Sequence, residues 1–233
     1  SLVIKYRKLQ LFYLENIKTD YLEGSEYNHC YNVLRKNQGD KILITDGNGN
    51  LYSAYIKKIK NKKVYLHNWV KTISKKKPNH TCVAVAPPKS YNRLEWMVEK
   101  LTEIGISKII FIITSNSERK KIKNDRLEKK IISAMKQCNS LFKTEIDEIY
   151  NLNLFLKKFK FKNKFIDDIE TSSLNIQDKN KGDSIIMIGP EGDFTSAEKS
   201  LLFEEGYKKV SLGSMILRTE TAALVGGFLL KNK

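Results

Sequence analysis

From residue 81 to the C-terminus, short apolar runs alternate with stretches whose apolar residues recur every three or four positions, and this alternation restricts the fold more than any other feature. The runs "CVAVA" (82–86), "KIIFIIT" (108–114), "NKFID" (163–167), "SIIMIG" (184–189) and "KKVSL" (208–212) have the length and composition of strands. In "YNRLEWMVEKLTEIG", Leu94, Met97, Val98, Leu101 and Ile104 mark one stripe of a helix that Gly105 closes. The 125–138 and 196–205 runs behave similarly. Strands alternating with helices predict an α/β domain over 80–233, a mostly parallel sheet with helices on its faces.

Residues 1–73 read differently. One short helix is expected over 25–36, with Ser25 as N-cap, followed by a β-rich run over 41–70 in which "DGNGN" and "KNKK" are hairpin turns. A small β-barrel or sandwich is expected there, joined to the second domain by the charged linker 71–80, which contains Pro78. The formal charge of +16 attracts phosphate backbones or anionic membranes. Only six of the 42 basic residues are arginines in a chain also rich in Asn and Ile, the composition that an AT-rich coding sequence favours, so an AT-rich gene is an alternative source for part of the lysine excess. Three scattered cysteines and three scattered histidines support neither a disulfide framework nor a metal site. The longest apolar runs are strand-length and flanked by charge, so the expectation is a cytoplasmic protein with no membrane segment and no metal.

Chemistry concentrates near the C-terminus. The stretch "IIMIGPEGDFTSAEKSLLFEEG" (185–206) is an apolar strand, a turn with two glycines and a proline, and a helix opened by a Thr195–Glu198 capping box. Such a turn lets backbone approach a ligand closely, although it matches neither GxxxxGK[ST] nor GxGxxG, and an ordinary strand-to-helix turn accounts for it equally well. A second turn, in "VSLGSMILRTETAALVGGFLL", runs from a strand through Gly213 into the last helix, with Thr219 as candidate N-cap. Two turns at strand ends wall one pocket, with Arg218 pointing into it beside Glu220. The alternative for Arg218 is a surface ion pair with Glu220 or a neighbouring carboxylate.

"IGPEGDFTSAE" followed by "VSLGSMILRTETAAL" closely resembles the C-terminal signature of the bacterial small-subunit rRNA uridine-N3 methyltransferases, the RsmE-like family of knotted SPOUT enzymes. The resemblance extends more loosely to "RLEWMVEKLTEIGISKI" (93–109), "MKQC" (135–138), "HCYNVLR" (29–35) and "TDG" (45–47), in the family's order. It implies a PUA-like β-barrel that binds RNA, a SPOUT α/β domain with a deep trefoil knot, S-adenosylmethionine bound in the knot, a homodimer, and 16S rRNA or the small ribosomal subunit as partner. Carried over residue by residue, it implies that Ile188, Gly189, Pro190, Glu191 and Gly192, with Leu212, Gly213, Ile216 and Leu217, hold the cofactor. Arg218 and Glu220 would serve the chemistry, and Arg35, Arg93 and Arg218 would contact RNA. The implied reaction is methylation of uridine N3, with the guanidinium stabilising the developing uridylate. A SPOUT enzyme acting on a ribose 2′-hydroxyl and a non-catalytic RNA-binding or ribosome-assembly protein are the alternatives. The chain departs from the pattern at Asp193, where many members have glycine, at Lys136 and Ser140, and in "FIDDIETS" (165–172).

Overall fold

The computed structural model describes residues 10–168 and 182–232; residues 169–172 of the "FIDDIETS" stretch lie outside them. The chain divides into two units, Ser1–Lys77 with Met135–Lys143, and Pro78–Ala134 with Thr144–Lys233. Met135–Lys143 thus clusters with the first unit although it lies within the 80–233 span.

The first unit is a five-stranded sheet in the order β1-β3-β4-β5-β2, built from β1 (Leu11–Tyr13), β2 (Tyr21–Leu22), β3 (Lys41–Thr45), β4 (Asn50–Lys60) and β5 (Lys63–Ser74). Alternation puts Ile42, Ile44, Ala54, Ile56, Val64 and Leu66 into one apolar cluster with Phe12, Leu22 and Cys30. β1 and β2 are edge strands, so among the described residues the ladder is not closed into a ring. The β4–β5 turn is Asn61-Lys62 with φ of 53° and 55°, the left-handed pair that a two-residue hairpin needs. β5 runs to Ser74, which shortens the expected linker to the residues before β6.

The expected helix at 25–36 differs. α1 (Gly24–Tyr27) continues as a π-helical turn, Asn28–Val33, and its N-cap is Glu23 in place of Ser25. The wide turn ends where Leu34 N–H donates to His29 O, and Arg35 then takes φ 50°, which stops the helix short of residue 36. Two contacts fix this segment: Glu26 accepts from the Tyr13 amide at 3.0 Å and pairs with Lys136. Lys136, one of the departures from the family pattern, thereby neutralises a buried carboxylate. A second cluster, Leu11, Leu43 and Leu51, is capped by Leu141. Gly49 N–H donates to Leu141 O at 2.8 Å and Lys143 N–H to Gly47 O at 2.8 Å, so the "TDG" turn and the 135–143 segment meet.

The second unit is a six-stranded, fully parallel sheet in the order β11-β9-β10-β6-β7-β8. Its strands are β6 (Thr81–Val85), β7 (Lys108–Ile113), β8 (Glu145–Asn151), β9 (Asn163–Asp167), β10 (Ser184–Ile188) and β11 (Lys208–Val210). Helices α2 (Tyr91–Glu103), α3 (Asn124–Gln137) and α6 (Thr219–Lys231) cover one face; α4 (Leu152–Lys158) and α5 (Ser196–Glu204) cover the other. Odd and even residues of β6 divide between the two apolar clusters: Val83 and Val85 against Cys82 and Ala84, which Ala86 just after the strand joins. α6 lies close on its own sheet because Gly226 and Gly227 present no side chain there. A Cβ at Gly227 would stand 3.1 to 3.2 Å from Leu101, Ile106 and Val83.

Candidate active site

The order of the parallel sheet sets the site. β10 is inserted between β9 and β6, and the carboxyl ends of β9, β10 and β11 lie side by side, where open α/β sheets place ligands. β9 ends at Asp167, β10 opens into the turn 189–193, and β11 leads through 211–218 to α6. Together they enclose a cavity of about 240 Å³ lined by Asp167, Ile188, Gly189, Pro190, Glu191, Asp193, Ile216, Leu217, Arg218, Thr219 and Ala222.

The 189–193 turn is fixed from several directions. Asp193 N–H donates to Pro190 O at 2.9 Å, and Asp193 takes φ 58°, a conformation that Asp adopts more readily than most residues. Asn116, just beyond β7, donates to Gly192 O and Asp193 O at 2.9 Å each. The expected capping box forms: Thr195 accepts from the Glu198 amide while Glu198 accepts from the Thr195 amide. Glu198 also accepts from Ser115 N–H at 2.8 Å. Burial pushes the Glu198 carboxyl up, and the bonds from Thr195 and Ser115 together outweigh it and hold the group below the usual range.

The second turn differs at its end from expectation. Arg218, not Thr219, is the N-cap of α6, and its side chain makes no capping bond. Thr219 is the first helical residue; its hydroxyl donates to Gly189 O at 3.2 Å and ties the two turns together. That tertiary partner outcompetes a capping role. Gly213 has φ 138°, and Ser211 Oγ donates to Gly213 O and accepts its N–H.

Of the nine residues expected to hold a cofactor, Ile188, Gly189, Pro190, Glu191, Ile216 and Leu217 line the cavity, while Gly192, Leu212 and Gly213 belong to the two turns without lining it. Ile216 is 82% exposed and forms part of the rim. Arg218 is exposed and has no ion pair among the described residues, so the surface pair with Glu220 does not form. Glu220 instead lies buried behind a different depression, with Asn92, Arg93, Trp96 and Thr221. Its Oε1 is 3.6 Å from Arg93 Nε, and its Oε2 has no hydrogen-bond partner. Arg35 lies exposed in the first unit.

Three features escaped the sequence reading. Asp167 is one; as the last residue of a strand beside the glycine turn it carried a readable signal. Burial, then Asp193 and Asp168, push its carboxyl up to about 6 against the opposing pull of Lys199. Asp168 is itself buried and paired with Lys209 at 2.8 Å. The Asn116 strap and the Thr219 tie are the others, and neither has a local signal.

A family model described as "RNA methyltransferase domain" matches residues 75–229, and one described as "RNA methyltransferase PUA domain" matches 22–67. The chain belongs to the RNA methyltransferase family. A Rickettsia conorii protein named "Ribosomal RNA small subunit methyltransferase E" is 30% identical over 218 residues, 90% of this chain and 88% of that one. A probable rRNA-methyltransferase from Porphyromonas gingivalis superposes with a TM-score of 0.84 at 35% identity, covering 94% of this chain and 95% of that structure. Ribosomal RNA small subunit methyltransferase E from Neisseria gonorrhoeae, solved bound to S-adenosyl methionine, gives 0.79 at 26% identity, covering 94% and 95%. Among the described residues no cluster of His, Cys, Asp and Glu is arranged to hold a metal, and no helix is long and apolar enough to cross a membrane.

Proposed function

We propose that this protein transfers a methyl group from S-adenosylmethionine to N3 of a uridine in small-subunit (16S) rRNA. The observation that carries the reading is the placing of Arg218 on the wall of the cavity formed by the three strand ends, in a chain of the RNA methyltransferase family. The residues present fit the cofactor. Gly189 brings its backbone to the cavity wall while the Phe194 ring packs where a side chain would stand, Ile188, Leu217 and Ala222 offer apolar surface to an adenine, and Asp167, Glu191 and Asp193 offer negative charge to a sulfonium and an ammonium. When bound, S-adenosylmethionine supplies an electrophilic methyl group; the protein's part is alignment and charge.

Uridine N3 carries a proton at neutral pH. Arg218, exposed and without an ion pair among the described residues, is placed to stabilise the anion left when that proton departs. Asp167 shares this cavity and Glu220 does not, so Asp167 is the better placed of the two carboxyls to take part. Because N3 lies on the pairing edge, the target base enters unpaired or flipped out. The reading also includes a division of labour between an RNA-binding domain over 1–73 and a methyltransferase domain over 80–233, a cytoplasmic location, and a homodimer. A deep trefoil knot in the second domain belongs to it too, as the family resemblance implies. The apolar last helix gives the homodimer no added support, since α6 packs on its own sheet.

The deciding experiment digests rRNA from cells with and without the protein to nucleosides. 3-Methyluridine that disappears with the protein supports the reading; a ribose-methylated product in its place overturns it.

A further inference from the structure

The outward side of the first unit's sheet carries a regular pattern that the proposed chemistry does not use. Strand register aligns two rows across it. Lys41, Tyr55 and His67 lie side by side on β3, β4 and β5; Lys58, Tyr65 and Tyr21 lie side by side on β4, β5 and β2. The inward neighbours Ile42, Ile56, Leu66, Val64 and Leu22 are buried, so these side chains point away from the core. Rings meet within each row: Tyr21 and Tyr65 at 5.7 Å, Tyr55 and His67 at 6.4 Å. Each tyrosine carries a lysine over its ring, Lys41 at 5.8 Å from Tyr55, Lys58 at 4.8 Å from Tyr65 and Lys63 at 3.7 Å from Tyr21. Glu23 stands 3.5 Å from Lys63.

We infer that this face is a platform for single-stranded RNA, with bases stacking on Tyr55, Tyr65 and Tyr21 and the lysines taking phosphates. The inference rests on the reading of the protein as an RNA methyltransferase and assigns a surface to its substrate. Along β5 the two rows are about 7 Å apart, a step an extended strand can match with successive bases. A lysine over an exposed ring is a weak contact, and a stacked base replaces it with a stronger one. The displaced ammonium stays tethered beside the ring, within reach of the adjoining phosphate, so each exchange adds a stack and an ion contact together. Duplex RNA cannot use such a face, because its bases are already stacked inward. The rows hold no aliphatic side chain to insert into a bilayer, which sets them apart from a membrane-binding surface.

The test uses the full chain and a labelled single-stranded oligoribonucleotide of mixed sequence, with the same sequence as duplex and phosphatidylserine vesicles as comparisons. Tyr55 is 38% exposed, so Tyr55→Ala leaves the core intact. It should weaken single-strand binding by about five- to a hundred-fold, the range for one lost base stack, whereas Tyr55→Phe should bind as the parent does. Replacing Lys41, Lys58 and Lys63 together by Ala should reduce the slope of log affinity against log salt by roughly 2. Ultraviolet cross-linking of the unaltered protein, mapped by mass spectrometry, needs no substitution and should mark Tyr55, Tyr65 or Tyr21. Cross-links confined to other surfaces, parental affinity in Tyr55→Ala, or preference for duplex or vesicles would overturn the inference. If 3-methyluridine forms while cross-links avoid this face, the platform fails and the activity stands. If cross-links mark the face and no 3-methyluridine forms, the platform stands and the proposed activity fails.

Discussion

Arg218 occupies a position that helix energetics disfavour. N-caps prefer Ser, Thr, Asp or Asn, and a cation at a helix N-terminus opposes the macrodipole. Its charge and the N-terminus of α6 instead meet at the wall of one cavity, an arrangement suited to a developing anion. Arg218→Ser should therefore stabilise the fold by about 0.5–2 kcal/mol, the value of a good N-cap, while slowing methyl transfer by roughly 10²–10³-fold. Thermal melting and single-turnover assays read the two effects, and parental turnover would refute the role given to Arg218. Asp167 gives a pH signature. Its carboxyl titrates near 6 in the folded chain, above the ordinary 3.8, so the folded state holds the proton more tightly. Stability is fullest below the unfolded pKa and declines as pH rises toward and through 6; Asp167→Asn should remove that part of the slope in urea titrations. Affinity for the cationic cofactor should change in the opposite sense, strengthening as the carboxylate forms above pH 6 in the parent and staying flatter in Asp167→Asn. Calorimetry across pH 5 to 8 checks this.

At the scale of elements, the turn after β10 depends on bonds from a loop 76 residues earlier in the chain. Asn116→Ala removes both of its bonds to Gly192 O and Asp193 O. Cofactor affinity should fall, with faster amide exchange over 189–193 and little loss of global stability. Unchanged affinity would show that the turn holds itself. Thr195→Ala should cost about 1 kcal/mol through the capping box. The contrast between these two residues explains what could be read in advance. The capping box, the stripe of α2 and the five strand runs are local patterns, and the sequence displays them directly. β8 was missed because its "EIDEIYN" alternates weakly and has one buried residue, and α4 because seven residues carry little periodicity. Thr219 looked like a cap because its chemistry suits one; its actual partner, Gly189 O, lies 30 residues away. The rows of Tyr and Lys on the first sheet were hidden for the same reason, since register appears only after strands pair.

On the scale of the whole molecule, the first unit is discontinuous: Leu141 closes the cluster of Leu11, Leu43 and Leu51, and the hydrogen bonds of Gly47 and Gly49 end on 141–143. A fragment ending at residue 77 should expose that cluster, melt earlier and aggregate, and a fragment carrying 135–143 on a short linker should recover a cooperative transition. Equal melting of the two would contradict the assignment of 135–143 to this unit. Chain order then has a consequence for synthesis. The ribosome needs roughly 3–13 seconds to travel from residue 77 to residue 143 at ordinary elongation rates, and through that interval the emerging first unit lacks its last apolar cover. Its full stability waits for a piece delivered from the middle of the gene, so this unit is not a module that can be cut at residue 77 and moved intact between proteins. Shuffling it intact means carrying two separated stretches of coding sequence at once, and a nascent-chain protease assay should find it vulnerable until residue 143 has cleared the exit tunnel.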